Sequence, residues 1–229
     1  MSAVAWAPEA HPQSRDDARR ALRCPEVVAA AKKRGITSIV HFTTVTGLKG
    51  ILASGAVKCR RDLPEDELVK HVYEPNAMDR HLDQLWHDYV NLSVSAINLR
   101  MFRFSANEHP DAMWATLEFG PAILGDRGAV FCTTNNIYPA ARRGRGLPGF
   151  DQLFAPKVAG WYGRPVDRGD CPPNQTTDPQ AEVLYPFELS LKHLHTVTVP
   201  DDNAEDAVEA ALCHFPYAPR IKKDPEAFQ

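Results

Sequence analysis

A single carboxylate, Glu182, stands at the start of an apolar run that has the composition of a buried β-strand. The run follows the turn residues Asp178-Pro179 and continues with Val183 and Leu184, a pattern typical of strands. An ionised carboxylate in such surroundings costs free energy unless it is paired, exposed or used in chemistry. Glu182 is therefore a candidate catalytic group, and a paired or exposed structural carboxylate is the alternative.

Two further side chains suit proton transfer or anion binding. His41 ends the apolar run "IVH" and precedes the short polar residues Thr43 and Thr44. A lone histidine in this position is structural at least as often as it is functional. Arg80 lies in the charged stretch "MDRHLD", where an arginine is ordinarily a solvated surface residue. Neither position defines a reaction by itself.

Residues 138–168 interleave basic and aromatic side chains. Arginines bind phosphates, and aromatic rings stack on bases, so this composition predicts a surface for single-stranded nucleic acid. A solvated charged loop is the alternative, and the net charge of −3 gives no sign of nucleic-acid binding by the chain as a whole. The side chains concerned are Arg142, Arg143, Arg145, Lys157, Arg164 and Arg168, with Tyr138, Phe150, Phe154, Trp161 and Tyr162.

The elements that must position these residues have an α+β pattern with a mainly antiparallel sheet. Alternating or continuous apolar runs predict strands at 36–44, 89–96, 113–120, 128–134, 194–200 and around Val183–Leu189. Apolar spacing predicts helices at 15–34, interrupted or restarted at Pro25 and stopped at Gly35, at 45–55, and at 203–215 with Asn203 as N-cap. Two long loops, 58–88 and 138–178, remain between these elements.

The sequence lacks the signals of several classes of protein. The 229 residues fit one domain, and neither a membrane span nor a secretory signal is predicted, so we expect a cytoplasmic protein. Five scattered cysteines argue against a disulfide framework. The pair His193 and His195 lacks a third ligand, so no metal is expected. Phosphate-loop, Rossmann, zincin and hydrolase-elbow motifs are missing from the sequence.

Four segments, in this order, resemble the DarT family of bacterial DNA ADP-ribosyltransferase toxins. They are "HFTTVTGLKGILASG" (41–55), "DRHLDQLWHDYVNLSVSAINLRMF" (79–102), "WATLEFGPAILGDRGAVFCTTN" (114–135) and "DPQAEVLYP" (178–186). The resemblance implies an ADP-ribosyltransferase-like fold of two packed sheet halves over 36–229, with 1–35 as an N-terminal helical extension. It also implies NAD+ as co-substrate, single-stranded DNA as acceptor and an antitoxin that removes the modification.

The resemblance also assigns roles to individual residues. Glu182 would be the catalytic glutamate, and Arg80 the active-site arginine that also contacts NAD+, with Arg100 and Arg103 as alternatives. The segment 58–82 would clamp NAD+, and 136–181 would bind the substrate. The other expected contacts with NAD+ are His41, Phe42, Thr43, Gly50 and Lys58; those with DNA are Arg142, Arg143, Arg145, Trp161, Tyr162 and Gln180.

These residue types suit the expected chemistry. Breaking the bond between ribose and nicotinamide develops positive charge on the ribose, as in glycoside hydrolysis. A fixed carboxylate such as Glu182 stabilises that charge, and a cation such as Arg80 binds pyrophosphate. Arginine remains charged and is a poor base, so Arg80 would assist the acceptor base by hydrogen bonding.

The acceptor base is less well defined by the sequence. Thymine-modifying members of the family carry "VPFY…RSPMLY" where this chain has "VNLSVSAINLRMF" (90–102). The departure favours guanine, with thymine as the alternative. RNA or a protein side chain as acceptor, and a non-enzymatic nucleic-acid-binding module, are the other hypotheses.

Overall fold

The computed structural model describes residues 23–63, 85–126 and 128–229. Their strands are β1 (Ile39–Thr44), β2 (Ala56–Lys58), β3 (Tyr89–Val94), β4 (Trp114–Phe119), β5 (Val130–Cys132), β6 (Arg143–Gly144), β7 (Lys157–Ala159), β8 (Pro165–Asp167), β9 (Glu182–Pro186), β10 (Glu188–Ser190), β11 (Leu194–Val199) and β12 (Arg220–Lys223). Their helices are α1 (Pro25–Lys33), α2 (Val45–Ser54), α3 (Leu99–Glu108), α4 (Gly146–Gln152) and α5 (Asp202–Leu212).

Eight of these strands form one sheet in the order β12-β11-β4-β1-β3-β9-β5-β6. All neighbours are antiparallel except β11 and β12. Two small two-stranded sheets, β10-β2 and β7-β8, accompany the large one. The α+β prediction with a mainly antiparallel sheet is confirmed.

The large sheet has two halves that are joined only over a short length. Strand β1 pairs with β4 from Ile39 to Thr44. In the described residues, its register with β3 covers just Ile39 with Val94 and Val40 with Ser93. The two strands therefore diverge after Val40, and we call this point the β1–β3 fork. His41 is the first residue of β1 beyond the two positions that pair with β3.

Local sequence signals account for the start and end of α2. The hydroxyl of Thr44 accepts a hydrogen bond from the Gly47 amide at 3.0 Å, and Gly55 ends the helix in the left-handed region with φ of 73°. A Cβ at Gly47 would lie 2.5 Å from the Thr43 hydroxyl, so glycine lets α2 begin directly over β1. The helix predicted from the sequence is confirmed here.

Other boundaries differ from the sequence predictions. No helix was predicted at α3, which is capped by the side chain of Asn98 and buries Phe102. The N-cap of α5 is Asp201, whose carboxylate accepts from the Ala204 amide at 2.9 Å, so the prediction of Asn203 was wrong by two residues. Asp201 and Asn203 both have side chains that can cap a helix. The backbone at Asp201 is extended, as an N-cap residue requires, so the helix begins after Asp201.

Helix α1 starts at Pro25, where the sequence predicted an interruption or restart, and Gly35 follows it with a positive φ. Its side chains Val27 and Ala31 are fully buried in the main hydrophobic core. The helix packs against the 3₁₀ segment Pro121–Gly125. Residues 25–33 thus contribute to the core, while the division of the chain at residue 35 stays a prediction.

Within the described ranges, no two cysteines form a disulfide bond. The same residues contain no group of three or more side chains that could hold a metal ion. None of the helices among them has the length and apolar character that crossing a membrane requires.

Candidate active site

Glu182 is the first residue of β9, between β5 and β3 in the sheet. Its side chain is buried, and its Oε2 accepts two hydrogen bonds. One comes from the backbone amide of Asn136 at 2.8 Å and one from Nδ2 of Asn91 at 3.2 Å. Both donors are neutral groups, and they hold this oxygen of the carboxylate in place.

His41 is connected to the same asparagine. Its Nδ1 lies 3.0 Å from the backbone carbonyl oxygen of Asn91. A carbonyl only accepts, so Nδ1 is the protonated nitrogen. Burial lowers the pKa of His41 below its ordinary value, and the hydrogen bond to Asn91 only partly opposes this. The neutral ring therefore keeps a lone pair on Nε2, which can accept a hydrogen bond from a ligand hydroxyl.

Asn91 thus joins the two halves of the sheet at the β1–β3 fork. Its backbone carbonyl accepts a hydrogen bond from His41 in one half, and its side-chain amide donates one to Glu182 in the other half. The structure brings these two predicted site residues together through a residue that the sequence analysis did not select. Asparagine is uncommon in strands, so its presence in the run "YVNLSV" was the available signal.

The loop between β5 and β6 supplies the second donor to Glu182. Asn136 lies in this loop and is buried. Arg143, on β6, donates from Nε to Oδ1 of Asn136 at 2.7 Å and from Nη2 to the backbone oxygen of the same residue. Its Nη1 donates to the carbonyl of Ala141 at 3.3 Å. Arg143, predicted to contact DNA, is therefore engaged within the protein.

Two more of the predicted DNA contacts form internal hydrogen bonds. Arg145 donates to the Gly128 carbonyl at 3.2 Å and to the Tyr89 hydroxyl at 3.0 Å. Gln180 accepts from the hydroxyl of Tyr138 at 3.0 Å. The Gln180 bond connects the segment before β9 to the loop after β5, and the Arg145 bonds connect the end of β6 to β3 and to the segment before β5.

The aromatic pair Trp161 and Tyr162 lies at the tip of the β7–β8 hairpin. Their ring centroids are 4.7 Å apart, and Tyr162 is 81% exposed. The guanidinium of Arg100, on α3, lies 3.7 Å from the Trp161 ring centroid. Arg142 is exposed and lines a cavity of about 210 Å³ with residues of the hairpin, among them Lys157. Exposed rings beside cations are what base stacking and phosphate binding require.

The expected NAD+ contacts are spread over β1, α2 and β2. Thr43 is buried under the start of α2, and the Phe42 ring packs with Phe102 and Trp114 in a separate aromatic cluster. Gly50 is exposed on α2. The structure places Lys58 on β2 opposite Glu188 of β10.

The Arg80 prediction and most of the proposed 58–82 clamp lie outside the described residues. The alternatives Arg100 and Arg103 both lie on α3.

The arrangement suits the stabilisation of a developing positive charge. A buried carboxylate held by two fixed dipoles needs no reorganisation when a cation forms beside it. A neutral imidazole at the other side of the β1–β3 fork can orient a hydroxyl of the ligand. Among the described residues, no metal-binding group is present that would assign a metal to this site.

Comparison with known proteins identifies the family and the fold of this chain. A family model described as "ssDNA thymidine ADP-ribosyltransferase, DarT" matches residues 40–229. Thermus sp. 2.9 DarT in complex with ADP-ribosylated ssDNA is similar with a TM-score of 0.62 and 20% identity, over 85% of this chain and 97% of that one. The same Thermus protein in complex with NAD+ gives a TM-score of 0.59 and 20% identity, over 84% and 98%.

A more distant structure, Thermosipho africanus DarTG in complex with ADP-ribose, has a TM-score of 0.52 and 11% identity, over 84% of this chain and 51% of that one. None of the curated proteins searched matches significantly. At these identities the solved structures establish the fold, and the family model extends from β1 to the last residue.

Proposed function

This chain belongs to the DarT family of single-stranded DNA ADP-ribosyltransferases, and from that membership we propose a specific site and mechanism. Glu182 is the catalytic carboxylate of a transfer of ADP-ribose from NAD+ to a base in single-stranded DNA, with release of nicotinamide. The observation that carries this proposal is the buried Glu182 carboxylate, fixed by Asn136 and Asn91 across the β1–β3 fork from His41.

Glu182 acts on the ribose that loses nicotinamide. As the glycosidic bond breaks, positive charge develops at the anomeric carbon, and the carboxylate stabilises it. The base then forms a bond to this carbon in place of nicotinamide, and the proton of the base passes to solvent. Arg80 binds the pyrophosphate and assists the base by hydrogen bonding, with Arg100 and Arg103 as the alternatives for this role.

His41 and its neighbours on β1 hold NAD+. The Nε2 lone pair of the neutral His41 ring accepts a hydrogen bond from a ribose hydroxyl, since Nδ1 already donates to Asn91. Because the Phe42 ring faces the aromatic cluster, its contribution is through the backbone. Thr43, Gly50 and Lys58 complete the proposed contacts.

DNA lies over the surface formed by Arg142 and the tip of the β7–β8 hairpin. The exposed Tyr162 and its tilted neighbour Trp161 offer aromatic surface for bases, and Arg142 is exposed for a phosphate. The internal bonds of Arg143, Arg145 and Gln180 support a role for these three residues in shaping that surface.

The preferred acceptor base in our proposal is guanine, and thymine is the alternative. The family model is described for thymidine, whereas residues 90–102 depart from the pattern of thymine-modifying members. This segment includes Arg100, which contacts Trp161 on the hairpin. A change in the segment can thus alter the surface that meets the acceptor.

The cellular role proposed is that of a cytoplasmic toxin with a cognate antitoxin that removes ADP-ribose from DNA. The resemblance to toxins of the family supports this role. Induced expression of the wild-type chain should stop growth of a bacterial host, and Glu182→Gln should not. Growth arrest by both proteins would contradict the role.

The enzymatic proposal is tested with labelled NAD+ and single-stranded oligonucleotides that lack either guanine or thymine. Label should transfer to DNA, and mass spectrometry of the product identifies the base. We expect Glu182→Gln to lower the rate by roughly 10²–10³-fold, because it removes the charge that stabilises the ribose cation. The matched control is Glu209→Gln, an exposed carboxylate on α5, which should leave the rate unchanged.

Other results would decide for the remaining hypotheses. Transfer to RNA or to protein in place of DNA would keep the chemistry and change the acceptor. Salt-dependent binding of DNA without any turnover of NAD+ would indicate a non-enzymatic module. Equal rates for wild type and Glu182→Gln would remove Glu182 from the mechanism.

A further inference from the structure

Arg143 is the residue whose contacts differ most from its sequence prediction. In a solvated arginine that binds DNA, the N–H groups are available to phosphates. The three nitrogens of the Arg143 guanidinium instead donate to acceptors within the protein. Two of the three bonds converge on Asn136, at the side-chain oxygen and the backbone oxygen. The guanidinium also lies 5.5 Å from the ring centroid of Trp86.

Asn136 is the residue through which these contacts reach the carboxylate. Its backbone amide donates to Oε2 of Glu182 at 2.8 Å. The direction of that N–H depends on the conformation of the loop from Thr133 to Arg142. By holding both oxygens of Asn136, Arg143 fixes the side chain of this residue and the peptide group that follows it, which limits the rotation of the residue that carries the N–H.

The position of Arg143 is itself well fixed. It pairs with Cys132 on β5, and Cys132 also pairs with Glu182 on β9. The following residue, Gly144, packs against α4 so closely that a Cβ at Gly149 would lie 2.3 Å from its backbone. Arg143 and Glu182 are therefore attached to one rigid group of three strands.

We propose that Arg143 is a positioning residue, which holds the Asn136 amide against the Glu182 carboxylate and thereby sets the orientation of the catalytic group. The proposal rests on the function proposed for Glu182. It replaces the sequence prediction that Arg143 contacts DNA. Holding both oxygens of Asn136 requires the planar set of N–H donors of a guanidinium, so a lysine, which has the same charge, cannot replace Arg143.

The test compares Arg143→Lys with Arg142→Lys in the full chain. Arg142 is the matched control because it is adjacent in sequence, exposed and proposed to contact DNA. We expect Arg143→Lys to lower kcat for transfer about 10–100-fold with little change in the KM for DNA, because the carboxylate loses its fixed orientation. Arg142→Lys should instead raise the KM for DNA and leave kcat nearly unchanged.

A second measurement does not depend on catalysis. Hydrogen exchange followed by NMR should show that the Asn136 amide loses protection in Arg143→Lys and keeps it in Arg142→Lys. If the wild-type chain transfers nothing, the proposed function fails, and the exchange result still decides the role of Arg143. Should Arg143→Lys not fold, Asn136→Ala provides the test, since it removes one acceptor of Arg143 and keeps the backbone amide.

The outcomes separate the two roles of Arg143. Lower kcat together with faster exchange at Asn136, in Arg143→Lys or to a smaller extent in Asn136→Ala, supports the positioning role. Unchanged protection of the Asn136 amide, or a higher KM for DNA at constant kcat, overturns it in favour of DNA contact.

Discussion

At the scale of residues, the site depends on a small number of hydrogen bonds between distant parts of the chain. The backbone carbonyl of Asn91 accepts a hydrogen bond from His41, and the side-chain amide of Asn91 donates one to Glu182. The Asn136 amide completes the support of the carboxylate. These bonds, of 2.8–3.2 Å, are short enough to hold one tautomer of His41 and one rotamer of Glu182.

The pKa of His41 leads to a prediction for stability. Burial holds this pKa below the ordinary 6.5. Between the folded pKa and 6.5 the unfolded chain binds more protons than the folded one, so the free energy of unfolding falls as the pH falls through this window. Above 6.5 the contribution of His41 is fully present. Denaturant titrations of wild type and His41→Gln over about pH 5–8 measure it.

The comparison isolates His41 from the other histidines. The difference in free energy of unfolding between the two proteins should be constant above pH 6.5 and should change at lower pH, where the wild type loses stability faster. Parallel pH dependence of the two proteins would mean that His41 titrates alike in the folded and unfolded chains.

At the scale of elements, the β1–β3 fork and the β7–β8 hairpin define where ligands can lie. The hairpin is held at Gly160, where a Cβ would lie 2.8 Å from a methyl carbon of Val166 and 2.9 Å from Oδ2 of Asp178. Asp178 is buried and its other carboxylate oxygen accepts from the Gln180 amide at 2.8 Å. Glycine at 160 therefore lets the hairpin pack closely against the segment that leads into β9.

Replacing this glycine should displace the hairpin. We expect Gly160→Ala to lower the free energy of unfolding by about 1–3 kcal/mol, because a buried carboxylate and a methyl group must move. Affinity for single-stranded oligonucleotides should fall with it, since Trp161 and Tyr162 shift. Thermal melting and oligonucleotide titrations at fixed salt measure the two effects. Gly120→Ala, whose Cβ would meet nothing within 4 Å, is the control and should change neither.

At the scale of the whole molecule, the main hydrophobic cluster of the described residues supports the sheet and includes buried side chains of α1. Val27 and Ala31 are buried in it, and the Cys24 amide donates to the Gly125 carbonyl at 2.5 Å. A Cβ at Gly125 would lie 2.6 Å from a methyl carbon of Val28. These contacts connect the start of the described chain to the segment after β4.

A core mutation in α1 tests whether this helix is an accessory extension. Val27→Ala should destabilise the protein by roughly 1–3 kcal/mol, because it leaves a cavity in the main core. Urea unfolding gives the value, and Ala29→Ser, at an exposed position of the same helix, is the control. Equal stability of the Val27 variant and wild type would favour an extension that ends at residue 35.

The sequence by itself determined the features that depend on neighbouring residues. Helix α2 was predictable because its cap, its apolar spacing and its terminal glycine all lie within residues 44–55. The strands around Glu182 and His41 were predictable from short apolar runs. The charge of Glu182 in such a run was sufficient to make it a candidate beside the structural alternative, because burying a carboxylate is costly wherever the strand lies.

The tertiary structure decided what depends on contacts between distant segments. Asn91 lies 50 residues from His41 and 91 from Glu182 along the chain, so only the pairing of β3 with β1 and β9 gives it a role. Arg143 has the sequence context of a DNA-binding arginine, and its direction is set by the pairing of β6 with β5. Composition predicts which groups a chain contains, whereas strand register determines which of them share a hydrogen bond.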